Sequence, residues 1–373
     1  MIVDYNQQAF FALVEAGLWE RKVRLAHFKN INFKEIYRLA EEQTVIGLVS
    51  AGLEHIVDIK VSKEELLVFV GSALQLEKRN IMMNDFISKL IHNMRDAEIY
   101  SLLIKGQGVA QCYERPLWRS AGDIDFFLSG SNYSKAIHML TPIATRVDKE
   151  KEYTQHMALS IDGWEVELHG SLRCGLWKSV DKVLDDIQTD IFCGGAVRSW
   201  MNGNTQVFLP REDEDVVFVF SHILQHLFKE GIGLRQICDW CRLLWTFKNK
   251  INKQLLGKRI KEMGVLSEWK SLAALSVDYL GMPVDAIPLY SPSKRWSRNA
   301  SIIVNIIFKT GNFGHNIDKS YLYNKNPVLK RKLITFWRQT KDCFNLMRVF
   351  PLDSMKVLYT YFVFGTKKYM KGE

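Results

Sequence analysis

Apolar and polar positions recur with two different periods along this chain, and the change of period divides it into three stretches. From Phe33 to Ala40, and again from Glu64 to Met94, apolar residues return at helical spacing. Between about residues 96 and 210 short strand and helix patterns alternate. The strand-like runs are Ser101-Leu102-Leu103-Ile104, Asp123-Ile124-Asp125-Phe126-Phe127-Leu128, Trp164-Glu165-Val166-Glu167-Leu168-His169 and, closing the stretch, Val207-Phe208-Leu209-Pro210. From Glu212 onward helical spacing dominates again, broken by a loop that opens at Gly311-Asn312-Phe313-Gly314-His315 and runs to Asn326-Pro327. The pattern predicts an α+β fold: a helical region over 1–95, a small mixed sheet with helices over 96–210, and a helical region over 211–373. No internal repeat or low-complexity tract interrupts it.

The middle stretch carries the chemistry. In a strand, residues i and i+2 share a face. Asp123 and Asp125 therefore project together, while Ile124 and Phe126 are expected in opposite, more buried surroundings. Adjacent carboxylates repel unless a cation sits between them, and a hard divalent ion with oxygen ligands suits such a pair. The same alternation sets Glu165, Glu167 and His169 on one face of the later strand; if that strand lies beside the aspartates, Glu167 completes a three-carboxylate cluster. Upstream, the run ending at Ile104 meets Lys105-Gly106-Gln107-Gly108, followed by a short helix to about Tyr113. Glycines there permit close backbone approach, and the amides of the turn attract anions. The spacing is not that of a Walker A loop.

These pieces together resemble the polymerase-β-type nucleotidyltransferase superfamily, and within it the bacterial branch of uncharacterised nucleotidyltransferases. The likeness rests on the Lys105-Gly106 turn and short helix, on Arg119 shortly before Gly122-Asp123-Ile124-Asp125, and on the strand with Glu167-Leu168-His169. It extends over roughly residues 35–250, including His222-Ile223-Leu224-Gln225-His226 and Leu234-Arg235-Gln236-Ile237-Cys238-Asp239. The resemblance implies that Asp123 and Asp125 hold metal ions, with Glu167 as third carboxylate and Glu165 as its competitor. It also implies nucleotide-phosphate contacts from Lys105 and Gly106, which stand where many members have Gly-Ser, and from Arg119. Loss of that Ser removes a hydroxyl contact that Lys105 would replace with charge. The gap from Gly106 to Asp123 exceeds the usual spacing, which implies an added loop around Pro116 and Trp118. The implied reaction is transfer of a nucleoside monophosphate from a nucleoside triphosphate to a hydroxyl or phosphate acceptor, with two magnesium ions and release of pyrophosphate. Arg119 has a plainer alternative as a partner of Asp123 or as a solvated loop residue, and His169 as a structural histidine.

Composition narrows the alternatives. With 47% hydrophobic residues the chain can build sizeable cores. Its Cys238-x-x-Cys241 pair lacks a second such pair and sits in a helical pattern, so core thiols are expected rather than a metal or redox site. His222 and His226 are one helical turn apart, but Ile223 stands where a zinc protease has Glu. A zinc hydrolase built on them ranks below nucleotidyl transfer and below a non-catalytic nucleotide- or nucleic-acid-binding protein with the same fold. Residues 291–373 hold 16 Lys and Arg against 4 Asp and Glu in a chain of net charge +9. Interleaved with Trp337, Phe344, Phe350, Tyr359, Tyr361, Phe362 and Phe364, this charge suits contact with a polyanion or, more simply, the outer face of a helical subdomain. No run is long enough to span a bilayer, no basic leader opens the chain, and the scattered cysteines point to the cytoplasm. The acceptor, whether small molecule, protein or RNA, has no readable code.

Overall fold

Helices begin the chain: α1 (Tyr5–Trp19), α2 (Phe33–Glu42), α3 (Ile46–Glu54) and the long α4 (Lys63–Asp96). Ser62 starts α4 with a capping box, its hydroxyl accepting from the Glu65 amide while Glu65 reaches back to the Ser62 amide. The sheet region follows, with β1 (Ser101–Ile104), α5 (Gly106–Ala110), β2 (Asp123–Leu128), α6 (Gly130–Leu140), β3 (Arg146–Val147), β4 (His156–Ile161), β5 (Trp164–His169), α7 (Lys178–Phe192), β6 (Val197–Asn202) and β7 (Thr205–Pro210). Helices α8 (Glu212–Lys229), α9 (Leu234–Thr246), α10 (Lys253–Met263), α11 (Leu266–Leu280) and α12 (Lys294–Thr310) complete the main body. This computed structural model describes residues 4–229, 231–312, 334, 337, 340, 341 and 343–359. Most of the loop expected from Gly311 to Pro327, together with Tyr361, Phe362 and Phe364, lies outside the described residues.

The strands form one seven-stranded mixed sheet in the order β3-β4-β5-β2-β1-β7-β6. Its strand count exceeds what the clearest alternating runs predict. The β6 run Val-Arg-Ser-Trp-Met-Asn alternates exposed and half-buried positions with no buried one, and β3 is only two residues long and exposed. The central register fixes everything that follows. Strand β2 runs antiparallel to β1, with Asp125 opposite Ile104, and parallel to β5, with Asp125 opposite Glu167. On the far side of β5, His156 of β4 faces His169.

Each sheet face packs on its own apolar cluster. Leu103, Ile124, Phe126, Leu128, Val166 and Leu168 meet Met83, Ile87, Leu90 and Ile91 of α4 and Tyr133, Ala136 and Leu140 of α6. Leu102, Ile104 and Phe127, on the opposite face, join a larger cluster that takes residues from every numbered helix except α6 and from Cys343 to Val357. The helices before and after the sheet thus share one interior. Gln43, fully buried, ties them together: its side chain donates to the Ile307 carbonyl and accepts from the Leu234 amide.

Two backbone features position the loop before β2. Gly47 of α3 lies so close to Trp118 that a Cβ would fall 1.9 Å from the Trp118 carbonyl oxygen. From below, fully buried Asn80 of α4 donates to the carbonyls of Leu117 and Arg119 and accepts from Gln107. The added loop around Pro116 and Trp118 is a short 3-10 turn clamped between α3 and α4.

Candidate active site

Asp123, Asp125 and Glu167 converge on the sheet face that α8 and α9 cover, each offering a carboxylate oxygen within 4.8 Å of the others. Alternation along β2 and the parallel β2–β5 register produce this directly. Glu165, the competitor for third carboxylate, instead pairs with Arg146 at 2.6 Å and is largely exposed. Asp123 is half-buried, and its carboxylate makes no hydrogen bond or ion pair with a described residue. Asp125 is as buried as Ile124, at 1% exposure each, so the expectation of more buried surroundings for Ile124 is corrected. The helices packed over the acidic face account for the difference.

A buried carboxylate needs partners. Asp125 has Lys105 Nζ at 2.6 Å and His169 Nε2 at 2.9 Å. Burial pushes the Asp125 carboxyl up against the pull of Lys105. Burial also works to raise Glu167, but hydrogen bonds with His156 and His169 and the Lys105 charge outweigh it and hold that carboxyl well below the usual range. For Lys105, desolvation is overcome by Asp125, Glu167 and Asp123, leaving its ammonium more basic than usual. His169 behaves likewise: burial opposes the charged ring, and its bonds with Asp125 and Glu167 prevail.

Lys105 reaches this position through an unusual backbone. Its φ of 56° with ψ of −146° belongs to a region that glycine occupies freely and other residues at a cost of about 1–3 kcal/mol. The glycine that the resemblance implies at this position would adopt this conformation without strain. Gly106 follows at φ 43°, and a Cβ there would meet the Asp123 carbonyl oxygen at 3.5 Å. The short helix ends at Ala110, before the expected Tyr113.

Lys105, Gly106, Arg119, Asp123 and Asp125 line one pocket, joined by His222 of α8 and by Arg235, Gln236 and Asp239 of α9. Arg119 is not a solvated loop residue and does not pair with Asp123. Its guanidinium forms a bidentate bridge to Asp239 at 2.9 and 2.7 Å, and Tyr113 donates to the same carboxylate at 2.7 Å. Arg235 donates to the Ser120 carbonyl at 2.7 Å. Burial, then the charge of Arg119, lowers its pKa below the usual arginine value. Arg119 Nη1, Arg235 Nε and Gln236 Nε2 are buried donors without a hydrogen-bond partner among the described residues. Three unmet donors around a carboxylate cluster fit an anionic ligand. The donor set of three carboxylates, in turn, fits a divalent cation with oxygen ligands.

Arg235, Gln236, Asp239 and His156 are residues of the site that sequence reasoning did not single out. Arg235 lay within the stretch Leu234–Asp239 that carried the resemblance, but one helix gave no sign that it would face the aspartates. For His156 there was no local signal, because its place depends on the β4–β5 register. His222 and His226 lie 2.9 Å apart through Nε2, and burial holds His222 well below the usual imidazole range. Cys238 and Cys241 are fully buried free thiols, as expected of core residues.

A mixed sheet bearing paired aspartates on one strand, an acid on its parallel neighbour and cationic side chains around them defines a nucleotidyltransferase-like protein. The chain belongs to the family described as uncharacterised nucleotidyltransferase, whose model matches residues 29–281. No curated protein matches it. No solved structure does either.

Proposed function

We propose that this protein transfers a nucleoside monophosphate from a nucleoside triphosphate to an acceptor, releasing pyrophosphate, with magnesium held by Asp123, Asp125 and Glu167. The observation that carries this reading is the convergence of those three carboxylates beside the unmet donors of Arg119 and Arg235. Two bound divalent ions would supply charge neutralisation at the α-phosphate and lower the pKa of the acceptor hydroxyl. The chain's own residues do the rest. Arg119, held rigid by Asp239 and Tyr113, presents Nη1 to a phosphate oxygen, and Arg235 presents Nε. Lys105, whose ammonium holds Asp125, is placed to exchange that carboxylate for a phosphate oxygen. As the new oxygen–phosphorus bond forms and the α–β phosphoanhydride bond breaks, the acceptor proton passes to solvent; Glu167, held well below the usual carboxyl range, serves as a ligand rather than a base. His156 and His169 fix the orientation of that carboxylate. The buried wall of α8 and α9 limits water, which would otherwise compete as acceptor.

The acceptor is a small molecule, a protein or an RNA end. The basic surplus over 291–373 favours an anionic one through long-range attraction. In that segment Trp337, Phe344 and Tyr359 are exposed, whereas Phe350 is buried. The test is incubation of the chain with each α-labelled triphosphate, magnesium and fractionated cell extract, reading labelled product and pyrophosphate. Asp123→Asn should abolish both; undiminished activity in that variant removes Asp123 from the reaction. Triphosphate binding without turnover in every fraction would favour the non-catalytic alternative.

A further inference from the structure

A second donor set adjoins the carboxylates and differs from them in kind. His156 and His169 oppose each other across β4 and β5, and alternation puts both on the face that bears Glu167. His156 Nε2 is 2.9 Å from Glu167 Oε2, and His169 Nε2 is 3.4 Å from the same oxygen. The two rings stand 4.7 Å apart between centroids. One ligating atom from each of the three residues lies within 4.8 Å of the other two, and all three side chains are half-buried.

We propose that His156, Glu167 and His169 form a cation site for a zinc-class transition metal, sharing Glu167 with the oxygen-only cluster of Asp123 and Asp125. Magnesium takes oxygen ligands and keeps several waters, whereas imidazole suits zinc, cobalt and their neighbours. The two halves of the acidic face therefore select different ions. Spacing supports ligation. Tetrahedral bonds of about 2.0–2.1 Å to nitrogen and oxygen separate neighbouring donors by roughly 3.3 Å. His169 and Glu167 already stand at that separation, and His156 must open by only a few tenths of an ångström. Three protein ligands leave a fourth position open, the pattern of a reactive rather than a structural zinc site. To ligate, His169 Nε2 gives up its 2.9 Å hydrogen bond with Asp125, whose carboxylate keeps Lys105 at 2.6 Å as its partner.

The experiment titrates the metal-free full chain with Co2+ and follows visible absorption. The expected result is the intense band of a low-coordinate, nitrogen-containing site, bleached by Zn2+ and untouched by excess Mg2+. His156→Ala should weaken Co2+ binding by about ten-fold or more, while Asp123→Asn, outside the trio, keeps the band. If His156→Ala fails to fold, X-ray absorption of the Zn2+-loaded native chain replaces it, with two imidazole ligands expected. Equal Co2+ binding in native chain and His156→Ala, displacement by Mg2+, or oxygen-only scattering would each overturn the proposal. So would a band that survives His156→Ala and disappears in His222→Ala, which would move the ion to α8. Because every readout is metal binding, absence of nucleotidyl transfer does not count against this site.

Discussion

Asp123 and Asp125 look equivalent in sequence and are not equivalent in energy. Asp125, itself buried, is the anionic partner of two half-buried cation-capable groups, Lys105 and His169. Removing it leaves both without compensation, so Asp125→Ala should destabilise the metal-free protein by about 3–5 kcal/mol. Asp123 holds no such partner, and its removal relieves repulsion with its neighbours. Asp123→Ala should therefore cost less than about 0.5 kcal/mol. Urea unfolding of both variants in metal-free buffer checks the contrast, and equal losses would contradict it. Lys105 permits a second separation. Lys105→Gly and Lys105→Ala both lose the ammonium, but only glycine accepts φ 56° with ψ −146° without strain. The glycine variant should be more stable than the alanine variant by about 1 kcal/mol or more. At this scale the sequence was legible wherever alternation alone decides which face a side chain takes, as for Asp123, Asp125 and Glu167. It named Arg119 but not its partner, because the ion pair with Asp239 joins residues 120 positions apart.

Elements set the site by pressing on one another. The α3 backbone touches the Trp118 carbonyl at Gly47, and the loop so fixed carries Arg119 into the pocket. Gly47→Ala should push helix and loop apart, costing about 1–3 kcal/mol in unfolding experiments and raising KM for the triphosphate through the displaced Arg119. A different coupling joins α11 to the segment after residue 343. Glu268 is fully buried, and burial together with Asp353 raises its pKa from 4.5 to about 8. The folded chain thus keeps a proton that the unfolded chain has released between those two values. Stability is complete below pH 4.5 for this group and falls as pH rises through 8. Glu268→Gln should flatten that decline, so that at pH 9 its melting temperature exceeds that of the native chain, by a margin absent at pH 5. Helical spacing announced α2 and α4 clearly. It gave no account of β3 or β6, whose residues neither alternate cleanly nor sit on a fully covered face.

For the whole molecule, the matched family region ends at Gly281 while the interior does not. Ala300, Ile303, Val304 and Ile307 of α12 belong to the same apolar cluster as α1 and α9. Gln43 reaches from the first helices to the last. A chain cut after Gly281 should expose this surface and lose its cooperative melt, as read by circular dichroism and gel filtration. A truncated protein that melts as sharply as the full chain would show that the later helices are accessory. Local periodicity divided the sequence into three stretches, but it cannot report which stretches share a hydrophobic interior. That depends on contacts such as Leu234 with Gln43, 191 residues apart.

The grip of Lys105 on Asp125 bears on how the protein is handled. An acidic nest that already owns its counter-charge does not fly apart when stripped of minerals. Chelators used in purification should leave the architecture standing, and refilling becomes a swap of one positive partner for another rather than an act of folding.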